Sequence, residues 1–110
     1  MRNLVLVVVL SSAGCFAVPD HASCDGRPQS QDCTDLLNNK NNHASATLKA
    51  LCAGTFSENL CDHTGALGGC QCDGCENGKA ITWLFPDPPN HITTAADVMT
   101  KCANQPYVAP

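Results

Sequence analysis

Two segments in the first half of the chain repeat their apolar positions with the period of an α-helix. In residues 30–40, Cys33, Leu36 and Leu37 share one face, and Ser30 can cap the free N–H groups ahead of them. In residues 44–53, good helix formers are followed by Gly54, a residue type that often ends helices. The pattern predicts two helices, the first with Cys33 inward, separated by a polar loop at 38–42. A short strand at 48–52 is the alternative for the second.

Strand-like alternation flanks the dipeptide Asn77-Gly78. This dipeptide favours two-residue type I′ turns, because both positions tolerate a positive φ. The arm after the turn places three apolar residues on one face: Ile81, Trp83 and Phe85. On the arm before it, Cys70 and Cys72 share a face. The sequence therefore predicts a β-hairpin that carries cysteines.

Residues 94–102 carry the clearest helix pattern. Thr94 and Asp97 form a capping pair, and four positions at i, i+3, i+4 and i+7 are apolar or cysteine: Ala95, Val98, Met99 and Cys102. We expect this helix to lie on the hairpin with Cys102 inward, and the tail at 103–110 to be frayed. Together the segments predict a single small α+β domain. In it a β-hairpin or antiparallel sheet packs against two or three short helices as an α/β sandwich.

The first seventeen residues have the order of a secretory signal peptide. Arg2 supplies a basic start, residues 4–10 are an unbroken apolar run, and residues 11–17 are mostly small. The run is too short to cross a bilayer as a helix. We therefore predict a leader at 1–17, a secreted domain at 18–110 and no stable membrane anchor. A bacterial lipoprotein acylated at Cys15 is the alternative.

Cleavage changes the cysteine count from an odd number to an even one. The chain has nine cysteines, and removing Cys15 leaves eight: Cys24, Cys33, Cys52, Cys61, Cys70, Cys72, Cys75 and Cys102. At this density a secreted chain is typical of disulfide scaffolds, so four disulfides are expected. We expect Cys70 and Cys72 to reach separate, distant partners, with Cys102 a natural candidate for one. The remaining connectivity cannot be deduced from the sequence.

The excess of acidic over basic residues limits the kinds of partner that the protein can attract. The formal net charge is −4 at pH 7, and losing Arg2 with the leader makes it more negative. Such a surface does not attract nucleic-acid backbones or anionic lipids. We expect a monomer whose partner is an extracellular protein or cell-surface target.

The spacing of the cysteines, histidines and carboxylates gives little support for a cofactor site or a catalytic site. Cys70, Cys72, Cys75 and His63 could bind zinc, but the two paired-ligand knuckles of zinc sites are missing. The C-x-x-C at 72–75 precedes a hairpin turn and not a helix, unlike thiol oxidoreductases. A small hydrolase such as a ribonuclease would need an acid and a base across one phosphate, drawn from four histidines and two carboxylates: His21, His43, His63, His91, Glu58 and Asp62. No motif brings two of them together. We expect no cofactor and no catalytic residues, and keep the hydrolase as an alternative.

Three aromatic residues form the candidate binding surface: Trp83, Phe85 and Tyr107. The first two precede a proline-rich loop that would hold exposed rings rigidly, and rigid aromatic side chains make good binding anchors. The alternative is that Trp83 and Phe85 are core residues under the last helix.

The layout resembles fungal small secreted cysteine-rich proteins of the effector-like and killer-toxin-like group. The matching features are an early cysteine, an Asp-Cys-x-x-Leu motif, a cysteine-bearing hairpin and a last helix ending in cysteine, here Cys24, residues 32–36, residues 69–83 and residues 95–102. The resemblance implies a small α/β sandwich that acts on a host or competitor by binding, without catalysis. The eight cysteines and Cys-x-Cys also look like the plant lipid-transfer pattern, which implies a four-helix carrier, but the adjacent Cys-Cys pair is missing.

Overall fold

The structure, a computed structural model, describes residues 21–37, 44–75 and 78–110. The predicted leader at 1–17, including Cys15, lies outside the described residues, as do the polar loop at 38–42 and Asn77 of the predicted turn. In the three described ranges, each helix is too short or too polar to span a lipid bilayer.

The described fold is a six-stranded sheet with two α-helices. The strands are β1 (His21–Asp25), β2 (Asp32–Leu37), β3 (Thr55–Ser57), β4 (Gly68–Asp73), β5 (Lys79–Leu84) and β6 (Tyr107–Val108). The helices are α1 (Ala44–Leu51) and α2 (Ala95–Cys102), and a short 3₁₀ helix spans Pro88–Asn90. The sheet is open and antiparallel, in the order β3-β1-β2-β5-β4-β6. The α+β prediction is confirmed, with more strand than the pattern predicted, and the four-helix carrier fold is wrong.

Both helices with strong local signals are present. Helix α1 ends at Leu51, shortly before Gly54. Helix α2 begins with the predicted capping box, in which the Asp97 backbone N–H donates to the Thr94 hydroxyl at 3.2 Å. In return, the Thr94 N–H donates to the Asp97 carboxylate at 3.0 Å. Val98 and Cys102 are the buried residues of this helix, as its periodicity predicts.

The helix predicted at residues 30–40 is wrong, because residues 32–37 form strand β2. Its side chains alternate between the two sheet faces, and Cys33, Asp35 and Leu36 are all buried. Strand β2 pairs with β5 over its full length and with β1 from Cys33 to Leu37. A central position in the sheet satisfies its backbone groups on both edges, and this tertiary context outweighs a weak helix propensity.

The hairpin is confirmed, but its two-residue turn is not. Asp73 pairs with Lys79 as the last rung between β4 and β5, so five residues separate the paired strands, not two. The Gly74 N–H donates to the Gly78 carbonyl at 2.7 Å, and the Gly78 N–H donates to the Cys75 carbonyl at 2.9 Å. Gly74 has a φ of +81°, which glycine adopts without strain. The longer loop places Cys75 next to the end of β4.

The tail is not frayed, since β6 pairs with the outer edge of β4. The Gln71 N–H donates to the Pro106 carbonyl at 2.9 Å, and the Tyr107 hydroxyl donates to the Leu67 carbonyl at 2.9 Å. The Tyr107 ring lies where a Cβ on Gly68 would be, so glycine at this position makes room for it. These contacts join residues distant in sequence, which a local pattern does not reveal.

All eight cysteines after Cys15 are paired. Three disulfides connect distant parts of the chain: Cys24–Cys52, Cys33–Cys61 and Cys70–Cys102, with separations of 28, 28 and 32 residues. They attach the end of α1 to β1, the segment before β4 to β2, and the end of α2 to β4. Cys72 pairs with Cys75 within the hairpin. The expectation of a distant partner for Cys72 is therefore wrong, whereas Cys70 pairs with Cys102 as predicted.

The sheet has a different apolar cluster on each face. The face we call the loop face carries Cys33, Ile81 and Trp83, covered by Cys61 and Ala66 from residues 58–67. The opposite face, which we call the helix face, carries Cys70 and is covered by Ile92, Val98 and Cys102. Gly69 lies on the loop face directly beside the Trp83 ring, where a Cβ would come within 2.9 Å of it. The two covers divide the small core between a disulfide-bonded loop and helix α2.

Candidate functional site

Two of the three aromatic residues proposed as a binding surface are core residues. Trp83 and Phe85 are each 5% exposed and belong to the cluster on the loop face. They lie under the segment at 58–67, not under the last helix. Tyr107 is half-buried, with its hydroxyl bonded to the Leu67 carbonyl. Burial removes Trp83 and Phe85 from the candidate binding surface and leaves the aromatic patch without its centre.

A buried carboxylate organises the loop face. Asp35 is 3% exposed and accepts the Cys61 backbone N–H at 2.7 Å on one oxygen. Its other oxygen accepts the Trp83 Nε1–H at 2.9 Å. Buried polar groups require such partners, and here they connect the covering loop to the central strands. The sequence did not reveal this role of Asp35, because residues 30–40 were predicted to be a helix.

His63 closes the loop face over Trp83. Its ring stacks on the indole with the ring centroids 4.1 Å apart and the planes 10° from parallel. The Nδ1 atom of His63 is buried and has no hydrogen-bond partner among the described residues. His91, by contrast, is exposed at the end of the 3₁₀ helix, and His43 lies outside the described residues.

Arg27 covers the other aromatic side chain of the loop face. Its guanidinium lies 3.9 Å from the Phe85 ring centroid and donates two hydrogen bonds to the Asp25 carboxylate at 2.9 Å. These side-chain hydrogen bonds from Arg27 hold the pKa of Asp25 below its ordinary value. The Arg27 guanidinium therefore covers the core at Phe85, and its charge is paired with that of the Asp25 carboxylate.

The helix face, in contrast, is only partly covered. Helix α1 is attached over β1 by Cys24–Cys52, and α2 is attached over β4 by Cys70–Cys102. Strands β2 and β5 lie between these attachments, so three inter-strand spacings separate them by roughly 14 Å. Packed helices lie only about 8–10 Å apart. The two helices therefore leave a gap above the centre of the sheet, which we call the central groove.

The floor of the central groove consists of paired strand residues. Thr34 pairs with Thr82, and Leu36 pairs with Ala80, across β2 and β5. The Thr34 and Thr82 hydroxyl oxygens lie 3.2 Å apart and share one hydrogen bond. Both threonines are half-buried, so their remaining hydrogen-bonding capacity faces the groove. The floor thus combines two hydroxyls with a neighbouring apolar row, in which Ala80 is half-buried and Leu36 is buried.

The walls of the central groove are uncharged. On one side Thr47, Leu48 and Leu51 of α1 line a volume of about 290 Å³, and Leu51 is 77% exposed at the rim. The opposite side is formed by Cys70, the Cys72–Cys75 disulfide and Gln105. No lining residue in this described region carries an ionisable side chain other than the disulfide-bonded cysteines. The groove is apolar with a few polar groups, which is the usual character of small-ligand sites.

A larger depression lies at the other end of β2 and β5. It has a volume of about 540 Å³, and its lining includes the charged residues Asp32 of β2, Asp87 and Lys101 of α2. Its polar groups bond to one another: Ser30 donates to Asp32 at 2.9 Å, and Asn90 donates to Asp87 at 2.8 Å. Because these polar groups already bond to each other, this depression has fewer free hydrogen-bonding groups for a ligand than the central groove has.

The cysteines proposed as zinc or redox candidates are all disulfide-bonded. Cys70 pairs with Cys102, and the C-x-x-C cysteines pair with each other. A sulfur in a disulfide is not a thiolate, which is the form that binds zinc. The described residues contain no group of three His, Cys, Asp or Glu side chains suited to a metal ion. The C-x-x-C lies at the end of a strand, as its sequence context indicated.

Comparison with known proteins gives no family assignment. No protein-family model, no curated protein and no solved structure matches the chain. The central groove and the disulfides around it are therefore the features of the molecule that bear on its function.

Proposed function

We propose that this protein is a secreted, disulfide-stabilised binding protein of effector or toxin character, acting on an extracellular or host partner without catalysis. The observation that carries the proposal is the central groove, an open site with no charged lining residue in the described part of the chain. Helix α1, attached by Cys24–Cys52, forms one side, and Cys70, the Cys72–Cys75 disulfide and Gln105 form the other. A preformed site of this kind loses little conformational entropy when a partner binds.

Secretion is supported by the chemistry of the cysteines. Four disulfides in residues 21–110 suit an oxidising compartment, since cytosolic reductants keep thiols reduced. The leader-like order of residues 1–17 points the same way.

Binding without catalysis is supported by the composition of the groove. Acid–base hydrolysis needs a proton donor and acceptor beside the substrate. The groove lining offers hydroxyls and apolar side chains, while His63 stacks on Trp83 on the opposite face of the sheet. These residues suit recognition better than proton transfer.

The proposal is tested with the purified, oxidised protein carrying a fluorescent label. Labelled protein is added to a panel of intact fungal, plant and animal cells, and saturable binding is measured with unlabelled competitors. We expect wild-type protein and the control Ala96→Phe, on the exposed surface of α2, to compete equally. Ala80→Phe, which fills the central groove, should fail to compete.

Two results would count against the proposal. Absence of saturable binding to every cell type would remove the binding function. Equal competition by the folded Ala80→Phe variant would place the contact surface outside the groove.

A further inference from the structure

We propose that the central groove binds a neutral amphipathic molecule, with a short apolar body and one hydroxyl or amide group that hydrogen-bonds to Thr34 and Thr82. The inference deepens the proposed function, on which it rests, by naming the chemical class that the groove recognises.

Charge selects a neutral occupant. The chain has a formal net charge of −4, and among the described residues no charged side chain lines the groove. An anionic head group would lose its hydration without gaining a counter-charge, and a cationic one would find no carboxylate. A neutral head group avoids both costs.

The floor selects one hydrogen-bonding group. Thr34 and Thr82 share one hydrogen bond, so the pair has one further hydroxyl proton and free lone pairs. They lie beside Leu36 and Ala80 in the neighbouring row of the floor. A ligand hydroxyl or amide can both donate to this pair and accept from it, while its apolar part lies between Ala80 and the leucines of the α1 wall.

Size and the rim select a short apolar body. A volume of about 290 Å³ corresponds to roughly ten water molecules, or a chain of about ten carbon atoms, because a methylene group is similar in size to water. Leu51 is 77% exposed on the wall of α1, more than either Leu60 or Met99, the other large apolar side chains exposed in the described ranges. An apolar chain in the groove would cover it.

The test uses three probes that differ only in the head group: 1-octanol, octanoate and octane. Each is titrated at pH 7 into the ¹⁵N-labelled, oxidised protein while amide chemical shifts are followed. We expect 1-octanol to shift amides of β2, β5 and α1 saturably, and octanoate to bind at least about tenfold more weakly.

Substitutions that preserve the fold assign the contacts. Thr82→Val should weaken 1-octanol binding by roughly 3- to 10-fold and leave octane unchanged, since only the alcohol uses the hydroxyl pair. Thr55→Val, on the edge strand β3, is its control. Leu51→Ser should weaken the binding of both 1-octanol and octane, whereas Leu60→Ser, outside the groove, should weaken the binding of neither.

Three outcomes overturn the inference: no saturable shift with 1-octanol, equal binding of octanoate, or octanol binding unchanged by Thr82→Val. The cell-binding assay separates this failure from failure of the proposed function. If Ala80→Phe abolishes cell binding and 1-octanol does not bind, the groove recognises a different chemistry. If 1-octanol binds and no cell is bound, the proposed partner interaction is wrong.

Discussion

Asp35 makes the clearest single-residue contribution to the core. Its two carboxylate oxygens accept the Cys61 N–H and the Trp83 Nε1–H inside the loop face. Removing it would leave two buried donors without partners, and an unsatisfied buried group costs about 1–3 kcal/mol. The carboxylate therefore fixes both the indole and the loop that covers it.

Asp35→Ala should lower the free energy of unfolding by roughly 2–4 kcal/mol, measured by urea denaturation with the disulfides intact. Asp32→Ala in the same strand is the matched control, because Asp32 is less buried and accepts a bond from the exposed Ser30 hydroxyl. A control variant destabilised as much as Asp35→Ala would show that the buried bonds have no special role.

The first turn of α2 fixes the position of this helix on the helix face. Hydrogen bonds from the Thr93 backbone N–H and hydroxyl, and from Thr94, hold the pKa of Asp97 below its ordinary value. A carboxylate with a lowered folded-state pKa stabilises the fold above its unfolded-state pKa. This contribution is lost as the pH falls through the folded-state value.

Asp97→Asn should therefore lower the Tm by a few degrees near pH 6, where the wild-type carboxylate is charged. The difference in Tm between wild type and variant should shrink as the pH drops below about 4, and vanish once the carboxylate is protonated. Thermal unfolding followed by circular dichroism across this range measures it. A difference that is constant with pH would mean that the capping charge does not stabilise α2.

The disulfides differ in how much of the unfolded chain they restrict. In the loop-entropy description, Cys70–Cys102, with a separation of 32 residues, contributes roughly 4 kcal/mol, and Cys72–Cys75, with a separation of 3, roughly 2 kcal/mol. Replacing each pair by two alanines should lower the free energy of unfolding in that order. Greater destabilisation from losing the short bridge would contradict this account.

The elements that the sequence predicted are those with local signals. These signals come from residues close together in the chain: the capping box of α2, the helix-forming residues of α1, and the alternation that includes Ile81 and Trp83. Strand β6 was missed because its partner β4 is distant in sequence. Strand β2 was missed because the spacing of Cys33, Leu36 and Leu37 suits a helix as well, and its partner β5 is distant in sequence. The central groove was missed for the same reason, since Thr34 and Thr82 become neighbours only through the sheet.

The whole molecule is a sheet with different covers on its two faces. The loop face is closed by residues 58–67, held by Cys33–Cys61 and Asp35. The helix face is covered at both sides and open in the middle, because Cys24–Cys52 and Cys70–Cys102 attach its helices to strands that have two other strands between them. The groove on which the proposed function depends is thus a consequence of disulfide connectivity.

Disulfide mapping of the oxidised protein tests this connectivity most directly. Peptic digestion at acid pH suppresses thiol exchange, and mass spectrometry of the linked peptides then assigns each bridge. We predict that Cys52 is linked to Cys24 and that Cys102 is linked to Cys70. A link between Cys52 and Cys102 would bring the helix ends together over the sheet, leave no room for the central groove, and contradict the account.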